Sequence, residues 1–141
     1  MKVCTFFGHR DCPEQIYEKV YRTILSMIEQ NEVDTFLIGN QGKFDYMVRR
    51  ALLEIKQIYT HIHIAIVLAY LPLSNKPEDG CEYIFPNGIE KVPKRFCISY
   101  RNQWLIQHSD YVITYITHPW GGAAQFAEKA YKQGKRMVNI I

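Results

Sequence analysis

Thr35-Phe36-Leu37-Ile38-Gly39-Asn40-Gln41-Gly42-Lys43-Phe44-Asp45 is the stretch on which the fold turns. Four strand-forming residues stop at a glycine and a polar turn follows. Phe44, Val48, Ala51, Leu52 and Ile55 then recur at helical spacing. A short apolar run without alternation fits a strand covered on both faces. The stretch therefore predicts a strand over 35–38, a tight loop and a helix over roughly 43–57.

The same unit recurs on both sides of it. Upstream, Lys2 to Phe7 reads as a strand ending at Gly8. Asp11, Cys12 and Pro13 mark a helix entrance, and Ile16, Val20, Ile24, Met27 and Ile28 give a helix over roughly 13–30. Downstream, Ile62, Ile64, Ile66, Val67 and Leu68 form a β-branched third strand. Period is lost between Pro72 and Pro93, where prolines, glycines and an acidic group break every pattern, and a lid-like connection is expected over about 72–95, with a local pairing at Tyr83-Ile84-Phe85. A helix from Phe96 to about Ser109, a strand Tyr111 to Ile116, a helix Ala123 to Gln133 opened by Gly121-Gly122, and a strand Arg136 to Ile140 complete the series. Strands alternating with helices imply an α/β fold, a mainly parallel five-stranded sheet with right-handed crossovers and helices on both faces. Counted along the chain, the expected strand order is 3-2-1-4-5, in one domain over residues 1–141.

Composition narrows the function classes. The chain of 141 residues is 48% hydrophobic and 22% charged, enough for a core without disulfide or metal staples. The net charge of +3 argues against a nucleic-acid partner, which requires a strongly basic face. The longest apolar run, Ile62 to Leu71, contains His63 and is too short to span a membrane, and no leader pattern opens the chain, so a cytoplasmic protein is expected. Cys4, Cys12, Cys81 and Cys97 lack Cys-x-x-Cys spacing, and His61-x-His63 lacks a third ligand. No metal and no cofactor are expected.

Ligands of parallel sheets bind beyond the carboxyl ends of the strands. Three loops converge there: Gly8-His9-Arg10, Gly39-Asn40-Gln41-Gly42, and Thr117-His118-Pro119-Trp120-Gly121-Gly122. Glycines ahead of a helix free its first N–H groups and its positive dipole end for an anion, although each pair is equally a plain turn. Gly121 and Gly122 are the first candidates, Gly39 and Gly42 the second; neither matches the dinucleotide fingerprint or the phosphate loop. Arg10 either grips a phosphate or carboxylate in a bidentate pair or bridges to Asp11 or Glu14. His9 is a donor to a ligand oxygen or a helix cap, and Arg101 reaches the same edge or lies in solvent. Asp45 holds a ribose hydroxyl or complements a helix dipole, and Glu128 faces the ligand or the outer surface. Trp120 and Tyr46 offer either a platform for a base or a wall.

Phe7-Gly8-His9-Arg10, Ile38-Gly39-Asn40-Gln41-Gly42-Lys43-Phe44-Asp45, Tyr100-Arg101-Asn102 and Ser109-Asp110-Tyr111-Val112-Ile113 leading into Gly121-Gly122 occur in that order. Together they resemble the YpsA-like branch of the SLOG superfamily, which is related to the DNA-processing DprA proteins and to the LOG phosphoribohydrolases. The resemblance implies a Rossmann-like three-layer sandwich that binds or senses a small nucleotide-derived ligand, with Gly8, His9, Arg10, Gly39, Gly42, Asp45, Arg101, Trp120, Gly121 and Gly122 as the binding set. It also implies a homodimer. The LOG signature P-G-G-x-G-T-x-x-E is matched at Gly121, Gly122 and Glu128 and broken at Ala124 and Gln125. The implied alternative is therefore cleavage of the N-glycosidic bond of a nucleoside monophosphate by Glu128 with Arg101. A third alternative is a protein-interaction module.

Overall fold

The computed structural model describes residues 1–70 and 80–141. Among these residues four helices flank one sheet of six parallel strands. In chain order the elements are β1 (Val3–Gly8), α1 (Tyr17–Asn31), β2 (Thr35–Ile38), α2 (Gly42–Lys56), β3 (His63–Val67), β4 (Cys81–Ile84), α3 (Cys97–Gln107), β5 (Tyr111–Tyr115), α4 (Gly122–Lys132) and β6 (Arg136–Asn139). Short 3-10 turns at Glu14–Ile16, Ile89–Lys91 and Lys94–Phe96 lead into α1 or link β4 to α3.

The strand order is β4-β3-β2-β1-β5-β6. The five expected strands keep their mutual neighbours. The expectation of five, and of the order 3-2-1-4-5 as the whole sheet, is corrected by Cys81–Ile84, which pairs parallel with β3 in the register Ile64 to Cys81 through Val67 to Ile84. Leu68 N–H extends the ladder by donating to Ile84 O at 2.9 Å. Four half-exposed residues at a sheet edge carry neither alternation nor a continuous apolar run, so period alone does not reveal them. Part of the expected lid over 72–95 is thus a sheet strand, and residues 71–79 of it lie outside the described residues.

Strand side chains alternate between two unequal cores. Cys4, Phe6, Phe36, Ile38, Ile64, Ile66 and Ile113 face α1 and α2, meeting Val20, Ile24, Val48, Leu52 and Ile55. Val3, Phe7, Leu37, Ala65, Val67 and Val112 face α3 and α4, meeting Leu105, Ile106, Phe126 and Ala130. Sidedness follows from handedness. The chain leaves β1 toward β2 and β3 with its helices on one face, then returns across the sheet to β5 and β6, and right-handed crossovers in the opposite direction place α3 and α4 on the other. The reversal opens a crevice at the carboxyl ends of β1 and β5. Among the described residues no helix is long and apolar enough to cross a membrane.

Candidate functional site

A cleft of about 420 Å3 occupies that crevice. Gly8 at the end of β1 with His9, Arg10 and Asp11 after it, Gly39 and Gln41 after β2, Asp45 on α2, Arg101 and Asn102 on α3, and His118 and Gly121 after β5 with Gly122 opening α4 all line it. Five segments of the chain therefore bring most of the expected binding set together. Gly42 is the exception among the glycines: it lines a separate hollow of about 220 Å3 with Gly39, Asn40, Asp45, Tyr46 and Arg49.

The two glycine-led helix entrances differ. Gly121 caps α4 with φ 97° and ψ 169°, a backbone region only glycine occupies without strain. A Cβ added at Gly121 or Gly122 meets nothing within 4 Å, and no side chain caps the helix. The first N–H groups of α4 are thus open to the cleft side. At α2 the entrance is closed. An added Cβ at Gly42 lies 2.8 Å from Arg10 Cγ, and Lys43 N–H donates to Arg10 O at 3.0 Å. Asp45 Oδ2 reaches back to accept from Gln41 N–H at 2.9 Å. Asp45 is therefore a backbone cap for its own helix as well as a cleft carboxylate.

Gly8 is a glycine for a packing reason. An added Cβ falls 2.3 Å from Phe44 Cδ2, so the Phe44 ring fills the space beside the end of β1. Gly39 serves the charges: its added Cβ lies 2.7 Å from Asp45 Oδ2 and 3.1 Å from Arg101 Nη1. Carboxyl and guanidinium thus approach the backbone where β2 ends. Arg101 is only 2% exposed; Nη1 donates to Val67 O at 3.0 Å and Nε to Asn102 Oδ1 at 2.8 Å. Burial pulls its pKa down and the Asp45 charge opposes this, yet a guanidinium stays charged at any physiological pH.

Burial pushes Asp45 up to about 6, against the Gln41 N–H and the charges of Arg101, Arg10 and Arg49, which favour the carboxylate. A carboxyl whose folded pKa exceeds its ordinary 3.8 binds its proton more tightly in the fold than in the unfolded chain. Its contribution to stability is complete below pH 3.8 and is lost as pH rises to about 6. Asp45→Asn is therefore expected to raise stability at pH 7 by about 1–2 kcal/mol, a rise of about 2–8 °C in Tm, and to flatten the stability profile between pH 4 and 6. Calorimetric melts across that range check it.

Three rings, from the loops after β1 and β5, form a column. His9 and His118 stack with centroids 3.7 Å apart at 16°, and His118 stacks on Trp120 at 3.9 Å and 20°. His9 is 7% exposed, and its Nε2 has no hydrogen-bond partner; neither has the buried His118 Nδ1. Burial, and then the neighbouring His118, lower the pKa of His9. His118 was not among the residues expected from sequence. It stands in the Thr117–Gly122 loop two places before Trp120, and only the position of that loop at a strand end could have nominated it.

The remaining candidates are exposed side chains. Arg10 is exposed and leans over Gly42. Trp120 is 67% exposed at the outer end of the ring column, and Tyr46 is exposed with the Arg49 guanidinium 5.5 Å from its ring centre. Glu128 is exposed and pairs with Lys132 at 3.2 Å, and it does not line the cleft. Among the described residues no group of three or more His, Cys, Asp or Glu is placed to hold a metal ion.

No protein-family model and no curated protein sequence matches this chain. Among solved structures it is similar to the X-ray structure of DNA processing protein A (DprA) from Streptococcus pneumoniae, with a TM-score of 0.72 at 17% identity. The likeness covers 98% of this chain and 50% of that one, so the chain spans about half the length of that protein. Two sequences this far apart share a fold, and the fold here is the α/β, parallel-sheet arrangement of DprA.

Proposed function

We propose that this chain is a SLOG-superfamily domain that binds or senses a small nucleotide-derived ligand at the carboxyl edge of its sheet. One observation carries the reading: the uncapped N-terminus of α4 and the buried guanidinium of Arg101 line the same cleft of about 420 Å3. Oriented N–H groups and a planar cation suit a phosphate, and the volume suits a mononucleotide-sized molecule. The phosphate lies at Gly121-Gly122, the ribose near Asp45 and the base near Trp120 or Tyr46. The net charge of +3, with Asp11 and Asp45 among the lining residues, favours a small ligand over a nucleic-acid backbone. Binding is preferred to N-glycoside hydrolysis because Glu128, the acid hydrolysis requires, is paired with Lys132 outside the cleft.

A thermal-shift panel of nucleoside mono- and diphosphates, ADP-ribose and cyclic nucleotides tests the reading. A ligand at 100 times its Kd stabilises by about 2.7 kcal/mol, a shift of about 5–10 °C for a chain of this length. Gly122→Asp is expected to abolish the shift and leave the unliganded Tm within about 2 °C, because its Cβ meets no atom and an acid suits a helix N-terminus. No shift from any member of the panel overturns the reading. An unchanged shift in Gly122→Asp moves the phosphate elsewhere.

A further inference from the structure

The charges in the cleft nearly cancel before any ligand arrives. Arg10 and Arg101 bring two guanidinium groups, and Asp11 and Asp45 bring two carboxyls. A doubly charged anion therefore meets the open amides of α4, which has no acidic residue in its first turn, and one further group lining the same cleft: the stacked imidazoles of His9 and His118.

Those two rings lie face to face beside the cleft. With the ring centres 3.7 Å apart, two adjacent positive charges there would repel strongly, so the stack has room for one added charge and not two. Among the described residues two buried ring nitrogens of the pair, His9 Nε2 and His118 Nδ1, have no hydrogen-bond partner. Each neighbouring element contributes known groups. Tyr115 on β5 turns a ring edge to His9; Arg10 and Asp11 flank it in its own loop; Asp45 on α2 and Arg101 on α3 line the same cleft; Trp120 covers the outer face of His118. Burial and the His118 ring disfavour a proton on His9 and outweigh Asp11 and a hydrogen bond with the His118 backbone, which favour it, leaving His9 below the ordinary imidazole range.

We propose that the His9–His118 pair takes up one proton as a doubly charged anion enters the cleft, so that the site prefers a terminal phosphate monoester to a phosphodiester. The inference rests on the binding reading above. It adds to it the protonation state and the class of phosphate. A dianion raises the proton affinity of the nearby imidazoles, and by linkage a proton on the pair raises the affinity for the dianion. A singly charged diester gains less from the same proton.

Inorganic sulfate is the probe, because its charge is constant across the range used. Titration calorimetry at pH 7, in two buffers of different ionisation enthalpy, is expected to show uptake of about half a proton or more per sulfate, with affinity falling about threefold or more from pH 7 to 8. This range lies above the titration of Asp45, which is centred near 6. His118→Asn and His9→Asn are each expected to abolish the uptake and flatten the profile, with folding verified by thermal melts. The partly exposed His118 provides the safer variant if the buried His9 site does not tolerate change. Adenosine 5′-monophosphate is expected to bind at least about tenfold more tightly than its 5′-methyl ester, a difference of about 1.4 kcal/mol. Sulfate binding without proton uptake, uptake that survives in both variants, or equal affinity for the two esters each overturns the proposal. If nucleotides stabilise the chain but any of these results is found, the proton link alone is lost. If no nucleotide stabilises it and sulfate does not bind, the binding reading falls with it.

Discussion

Gly8→Ala is expected to cost about 3 kcal/mol or more, lowering Tm by roughly 10 °C. The added methyl would sit 2.3 Å from Phe44 Cδ2 and 2.4 Å from Cγ, well inside contact distance, and neither partner has room to withdraw. Phe44 is 1% exposed, is stacked on Tyr115 at 6.2 Å and belongs to the larger core, while Gly8 is held in register opposite Tyr115 by the β1–β5 ladder. Overpacking that cannot relax is among the few mechanisms that give single substitutions such large effects. The double change Gly8→Ala with Phe44→Ala should cost clearly less than the two single losses added together, because it removes Cγ, Cδ2 and Cε2, the atoms that the new methyl meets. Chemical denaturation of the three variants measures this coupling. Additive losses in the double variant would show that Gly8 is needed for a reason other than the ring.

Arg101→Met is expected to separate binding from stability. Methionine has a similar reach, removes a charge held at 2% exposure, and releases Val67 O from a 3.0 Å hydrogen bond. Relief of desolvation and loss of the hydrogen bond oppose one another, so Tm should move by only a few degrees. Affinity for a phosphate-bearing ligand should fall about 100-fold, as when one member of a buried charge-assisted contact is removed. Arg101→Lys should recover only part of it, since an ammonium keeps the charge and loses the planar fork. Calorimetric Kd values for the nucleotide giving the greatest thermal shift test all three forms; wild-type affinity in Arg101→Met removes the guanidinium from the site. Asp45 adds an internal check. Without Arg101 it loses one of the charges favouring its carboxylate, so its pKa should rise above about 6.

The parts of this fold visible in sequence are those where one residue type dominates a run. Val3 to Phe7, Phe36 to Ile38 and Tyr111 to Tyr115 are buried on both faces, and their apolar continuity identifies them as inner strands. β4 carries no such signature, because an edge strand of four partly exposed residues has neither a buried face to alternate with nor length to average over. The site divides in the same way. Loops at strand ends were legible as a set, since topology alone sends them to one edge. Which group meets which was not: Arg101 beside Asp45 at Gly39, Phe44 in the space of a Gly8 side chain, and His118 on His9 are contacts between segments whose separation no local pattern encodes. The two glycine-led helix entrances show the limit most clearly. They look alike in sequence, yet Arg10 covers one and no described residue covers the other.

The unequal cores on the two faces of the sheet set an order in which this protein should open. Amides of α1, α2 and the central strands, anchored in the larger cluster, should exchange with solvent only in global unfolding, whereas α3 and α4, held by the smaller one, should exchange through partial opening at lower free energy. The cleft draws Asp45 from the well-anchored side and Arg101, Gly121 and Gly122 from the weakly anchored one. A ligand seated there ties the looser layer to the firmer. Its clearest signature is then slowed hydrogen exchange along α3 and α4, far beyond the residues it touches.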